Sequence, residues 1–296
     1  MAVYKRTYKA YRGAMTPGWS RFTVLSRYGF ATLFSSRIFT AFTVLCFVPF
    51  LIGLVFVYVL HSATAQQVLH TSFGRTTDQI MTNYWFLWFL TVHCWMSFLL
   101  TAWAAPGMIS KDFANHSVQL YLSRPLSRAE YLLGKVSVLG VLLSFTTWIP
   151  TLLVFLLHAS LEGHGWGWGH LWLAFAIIVS GLMWIALLAL LAMALSVLVK
   201  WRIASTALLL AIFFLLPGFG LVISVILRTR WGLLLNLFYV IGRIWAGLFR
   251  VPVREHFDGP FGFVPTWSAW ATVLTVCALC LWLLHSKLKA REVERG

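Results

Sequence analysis

LWLAFAIIVSGLMWIALLALLAMALSVLV, residues 171–199, runs its whole length without a Lys, Arg, Asp or Glu. At ~1.5 Å of rise per residue, a helix of this length exceeds the ~30 Å hydrocarbon core of a bilayer. A backbone at that depth finds no water, so the segment must close its own hydrogen bonds as a helix. Five other charge-free runs share this character, and the six lie at about 38–60, 84–105, 136–157, 171–199, 203–227 and 267–284. The expected fold is all-α: a polytopic membrane protein with six transmembrane helices, forming a single transmembrane domain over 1–296.

Composition agrees. Hydrophobic residues make up 60% of the chain and charged residues only 10%, and mean hydropathy is +0.83. A soluble domain carries roughly a quarter charged residues. The 16 tryptophans suit a chain with many membrane–water boundaries. The net charge of +15 does not point to nucleic acid, because no soluble basic domain exists to bind it. Instead the basic residues flank apolar runs, where they set topology and meet anionic membrane lipids. Cys46, Cys94, Cys277 and Cys280 all fall inside apolar runs and read as small core residues, without a disulfide framework.

Lys and Arg placement sets the expected orientation. The N-terminal segment, the second-to-third and fourth-to-fifth connections and the C-terminal tail hold 17 basic residues, against six on the other side. Both termini are therefore expected in the cytoplasm, in a multi-pass cytoplasmic (inner) membrane protein. The first run, preceded by a basic and polar stretch, is expected to act as an uncleaved first span. The apolar stretch 231–249 lies between arginines and could count as a seventh span. However, Gly232, Asn236, Tyr239, Arg243, Gly247 and Arg250 form one small-and-polar stripe along it. That stripe predicts an outer-side re-entrant or interfacial helix before the last span.

Two segments expected on the cytoplasmic side carry more. Ser20 can cap a helix in which Phe22, Leu25, Gly29 and Leu33 repeat at near-helical spacing. This predicts an N-terminal amphipathic helix on the inner leaflet, or else an extension of the first span. In 106–135, Pro106-Gly107 is expected to end the second helix. Phe113, Ser117, Leu120 and Tyr121 then suggest a short amphipathic helix, and Pro125 breaks it. Ser127 and Glu130 form a capping box where the third helix should start. Pro150, and Pro217 with Gly218 and Gly220, are candidate hinge or kink points, although such residues also serve packing.

At 106–135 the chain resembles the type-2 ABC exporter permeases. The resemblance rests on Gly107, Asp112, Val118 to Leu122, the turn Ser123-Arg124-Pro125-Leu126-Ser127-Arg128, and Gly134-Lys135. The match in detail covers about thirty residues, and the span order and N-terminal helix extend it. Where many relatives place an acidic residue and Gly-Thr, this chain has Asn115-His116-Ser117, leaving Asp112 and Glu130 as the acidic candidates. The resemblance implies a dimer with a second permease copy or paralogue, and a separate ABC-type ATPase that binds the ATP. It also implies a coupling helix around 109–122 that docks on the ATPase. The coupling residues it suggests are Gly107, Asp112, Phe113, Leu120, Ser123, Arg124, Pro125, Ser127, Arg128, Glu130, Gly134 and Lys135.

No catalytic motif is legible. Gly134-Lys135 is followed by Val136 and lacks the upstream glycine of a phosphate-binding loop, so the chain is expected to hold no cofactor and to hydrolyse nothing itself. Neither H-E-x-x-H nor G-x-S-x-G occurs. His93, inside a span, reads as a neutral imidazole bonded to a nearby carbonyl, with a proton relay or a substrate contact as the sharper option. His158, His164 and His170 flank the Gly/Trp-rich loop 163–169; three histidines could bind a metal, but a spacing of six is not that of metal ligands, and the loop reads as an aromatic interfacial belt. The competing readings are a membrane enzyme acting on lipid or isoprenoid substrates and a non-transporting assembly factor. The first is disfavoured because the eight acidic residues are scattered in loops.

Overall fold

The computed structural model describes residues 21–73, 77–108, 128–163, 165–199, 201–252 and 262–293. Six helices in it are long and apolar enough to cross a membrane: Arg37–Leu60, Asn83–Met108, Ala129–Glu162, Leu171–Leu198, Arg202–Ile226 and Thr266–Lys287. The chain is an all-α, multi-pass membrane protein. The alternation of the spans puts Arg37, Met108, Arg128, Leu198 and Arg202 at one end of the bundle, here termed the basic end. Leu60, Asn83, Glu162 and Leu171 lie at the other, the histidine end.

The second, third and fourth spans are each 56% buried, against 28%, 22% and 28% for the first, fifth and sixth. The first three of these are therefore the core, and the rest present wide apolar faces outward. Trp184 of the fourth span is fully enclosed, and its indole N–H donates to Ser97 Oγ of the second at 2.8 Å. That bond satisfies the buried indole N–H.

The odd-numbered spans are each broken. The first divides into Arg37–Leu45 and Val48–Leu60, the third into Arg128–Thr146 and Trp148–Glu162, and the fifth into Arg202–Phe214 and Leu216–Ile226. Pro49, Pro150 and Pro217 each sit in the first turn of the second piece. A proline has no N–H to donate and crowds the carbonyl four residues back, so the preceding helix stops and a new one begins. At the third-span break, Thr147 Oγ1 donates to the Leu143 carbonyl at 2.7 Å. Gly181 lets the fourth span press against this break, since a Cβ there would stand 2.5 Å from Trp148 Cβ. Pro150 and Pro217 thus mark real kinks. Gly218 faces open space, whereas Gly220 is a packing contact.

The stretch 231–249 is not one helix. Trp231–Leu235 forms a 3-10 turn, and Asn236 then caps Leu237–Leu248 by accepting from Tyr239 N–H at 3.1 Å. Twelve residues reach only ~18 Å, too short to cross. Its polar stripe faces protein instead: Val264 N–H donates to Tyr239 Oη and Arg243 Nε donates to Val264 O, each at 3.2 Å. Both bonds clasp the approach to the sixth span. At the other face Phe238 enters the bundle, with ring centroids 4.3 Å from Trp95 and 4.9 Å from Phe213.

Candidate functional site

The basic end carries Gly107, Arg128, Glu130, Gly134 and Lys135 among the residues singled out by the resemblance. The others, Asp112, Phe113, Leu120, Ser123, Arg124, Pro125 and Ser127, lie outside the described residues, as does the Ser20 cap. Arg128 opens the third helix and Glu130 occupies its first turn, where an acidic group meets the positive end of the helix dipole. The described residues on either side of 109–127 form a tight clasp.

Pro106 ends the second helix, as the sequence led us to expect: Asn83–Ala104 is closed by Ala105, and a separate short helical stretch, 106–108, follows. Neighbouring spans brace this break by bonding the carbonyls around it. Without a proline N–H, the Ala102 carbonyl loses its intrahelical donor. Thr206 Oγ1 of the fifth span donates to it at 3.3 Å. Arg202 donates to the Trp103 carbonyl at 2.9 Å, and Ser196 Oγ of the fourth span donates to the Pro106 carbonyl at 2.9 Å. Gly107 then lies against the Arg202 side chain, 3.5 Å from where its Cβ would be. Replacing Thr206 by valine keeps the shape but removes a donor. The expected cost is about 1 kcal/mol, read as a lower melting temperature of the purified protein in detergent.

Lys135 closes the clasp. Its Nζ donates to the Met108 carbonyl at 3.0 Å and stands 5.9 Å from the centre of the Tyr131 ring. The last described residue before 109–127 is therefore tied to the second turn of the helix that follows it. Gly134 allows the N-terminal helix Arg21–Phe34 to join: a Cβ there would stand 2.8 Å from Leu25 Cβ and 3.1 Å from Phe22 O. Ser26 Oγ donates to Gly134 O at 3.1 Å and lies 2.6 Å from Ser137 Oγ. Leu25 is buried and Gly29 abuts Val138, so this helix turns its predicted apolar stripe to the third span. It is a separate element, divided from the first span by Ser35 and Ser36. Between it and the second span lies a cavity of about 360 Å³, lined by Tyr28, Ser36, Trp103, Gly107, Lys135 and Arg202 among others.

The remaining candidates are not at this end. His93 is buried, with Nδ1 2.9 Å from the Phe89 carbonyl, so that nitrogen carries the proton. Its Nε2 meets no hydrogen-bond partner among the described residues. His164 lies outside the described residues. His170 stacks on Trp166 at 4.0 Å between ring centroids and bonds the Trp166 carbonyl, as an aromatic belt would. His158 faces elsewhere: His61 and Glu162 stand beside it, and sequence reasoning missed both. A His and a Glu four residues apart on one helical face were the available signal.

Compared with models of known protein families and with curated proteins, the chain matches none.

Proposed function

We propose that this chain is the membrane-spanning permease subunit of an ABC exporter, energised by ATP that a separate ATPase subunit binds and hydrolyses. The observation that carries this reading is the clasp around 109–127. Lys135 ties Met108 to the third helix, Gly134 and Ser26 tie that helix to the N-terminal helix, and Ser196 and Arg202 tie the second span to the fourth and fifth. A push on the intervening segment would reach all of these helices as a rigid-body displacement rather than dissipating in a loop. The breaks before Pro150 and Pro217 give two of the spans somewhere to bend. Eighteen residue positions or more of charge-free helix in every span offer an exported molecule no fixed ion pair, so the reading assigns no catalysis to the chain itself.

The test is co-purification from native membranes in mild detergent. The intact chain should bring down a cassette-type ATPase, and a variant lacking 109–122 should insert normally but lose it. An intact chain that brings down no ATPase, or an association that survives the deletion, would defeat the proposal. Sidedness is tested separately with a cysteine at Lys111: a membrane-impermeant maleimide should label it in inverted vesicles and not in intact cells. The opposite pattern would place the segment where no ATP is present.

A further inference from the structure

At the histidine end, far from the clasp, three side chains converge. His61 caps the C-terminus of the first span, and His158 and Glu162 lie one turn apart at the end of the third. One ligating atom from each lies within 4.8 Å of the others. His158 is fully buried, and its ring centroid stands 5.1 Å from that of His61 and 4.5 Å from that of Trp166.

The tautomer of His61 gives this cluster a direction. Its Nδ1 lies 2.8 Å from the Val57 carbonyl, and a carbonyl only accepts, so Nδ1 carries the proton. Nε2 then turns its lone pair towards Glu162 Oε2 at 3.0 Å. Two electron-rich atoms approach that closely only with a proton or a cation between them. A proton serves one pair of atoms, whereas here a third donor, His158, stands beside the pair.

We infer that His61, His158 and Glu162 form a binding site for a divalent transition-metal ion of the zinc class. Two imidazole nitrogens and one carboxylate oxygen are the donors zinc accepts, and an all-oxygen ion such as calcium or magnesium would find too few oxygens. The Nδ1–H bond from His61 to a backbone carbonyl is the outer-shell contact that orients a ligating imidazole. Donors around a tetrahedral ion with bonds of ~2.0–2.1 Å stand about 3.4 Å apart, so the set closes with a shift of roughly one ångström. Three protein ligands leave a fourth position for water or a ligand atom. The ion would join the ends of two spans whose ligands are 101 residues apart in the chain. This inference does not depend on the transport reading.

The test uses tag-free, full-length protein, stripped with chelator and titrated with zinc and, separately, with cobalt. One zinc ion per chain is expected, and cobalt should give the visible absorption bands of a four-coordinate site. Glu162→Gln keeps the side chain's shape at a partly exposed position. It should weaken zinc binding by more than the ~10–100-fold typical of losing an outer-shell partner, and His61→Gln should do the same. Because His158 is enclosed, its alanine variant is read only alongside these two. His170→Asn, outside the cluster, should bind zinc as the parent does. Absence of stoichiometric zinc in the parent, which leaves a proton-bridged ion pair, would overturn the inference. So would affinity unchanged in the His61→Gln, Glu162→Gln double variant.

Discussion

Substituting Gly232 with valine is expected to unseat the outer part of the fold and leave little protein that survives purification. A Cβ at this position would stand 2.3 Å from the Gly220 carbonyl oxygen, 2.5 Å from Ser224 Oγ and 3.0 Å from Ser224 N. The approach is mutual, since a Cβ on Gly220 would stand 2.4 Å from the Gly232 carbonyl oxygen. Ser224 Oγ could swing aside, but the two carbonyl oxygens are main chain and no change of rotamer relieves them; the 3-10 turn and the fifth span must separate. Overpacking of side chains commonly costs ~1–3 kcal/mol, and parting two backbones should cost at least the upper figure. The damage would spread, because this turn leads directly to Asn236 and to Phe238, which enters the aromatic cluster. The measurement is the fraction of monodisperse protein remaining after a heating series in detergent. Gly218→Ala is the control: it lies on the same helix as Gly220, the other side of the contact, with nothing within 4 Å, and should behave as the parent. Equal behaviour of the two variants would show that the close approach is not needed.

Gly134→Leu should separate the N-terminal helix from the third span while leaving the six spans assembled. The new Cβ would stand 2.8 Å from Leu25 Cβ and 3.1 Å from the Phe22 carbonyl oxygen, and neither can move without its backbone. Separation can be read chemically, because Ser26 Oγ and Ser137 Oγ are 2.6 Å apart. Cysteines at 26 and 137 should cross-link readily in the parent background and poorly beside Gly134→Leu. Gly140→Ala, on the same helix and facing open space, should leave the cross-link intact. Under the permease reading, the same variant should keep its ATPase but export several-fold more slowly. A full cross-link in Gly134→Leu would mean that the N-terminal helix does not depend on this glycine.

Much of the architecture was legible because the hydrocarbon leaves a chain few choices. Every span follows from a charge-free run, and the short Leu237–Leu248 helix follows from a stripe too polar for lipid. Proline marked the breaks in the third and fifth spans, since its missing N–H acts locally. Pro106 acted by the same rule, ending the second helix at Ala104. The bracing of that break was not legible, because Thr206, Arg202 and Ser196 lie about a hundred positions away in sequence. Helix limits moved for a related reason: the third helix extends to Glu162 because its last turns pack on the first span, which no local signal encodes. The apolar stripe of the N-terminal helix was visible, but whether lipid or protein would cover it depended on Gly134 of another helix. The His61–His158–Glu162 group was hidden likewise, for two spans must end at the same depth before these side chains can meet.

The third span has a further consequence. Lys135 near one end and His158 near the other belong to one helical element of 34 residues, about 50 Å long, jointed at Thr147. Chemistry at either extremity therefore acts on the angle of a single jointed rod. If metal occupancy at one tip favours one setting of that joint, whatever grips the opposite tip must feel the preference with equal strength, since linked equilibria admit no one-way influence.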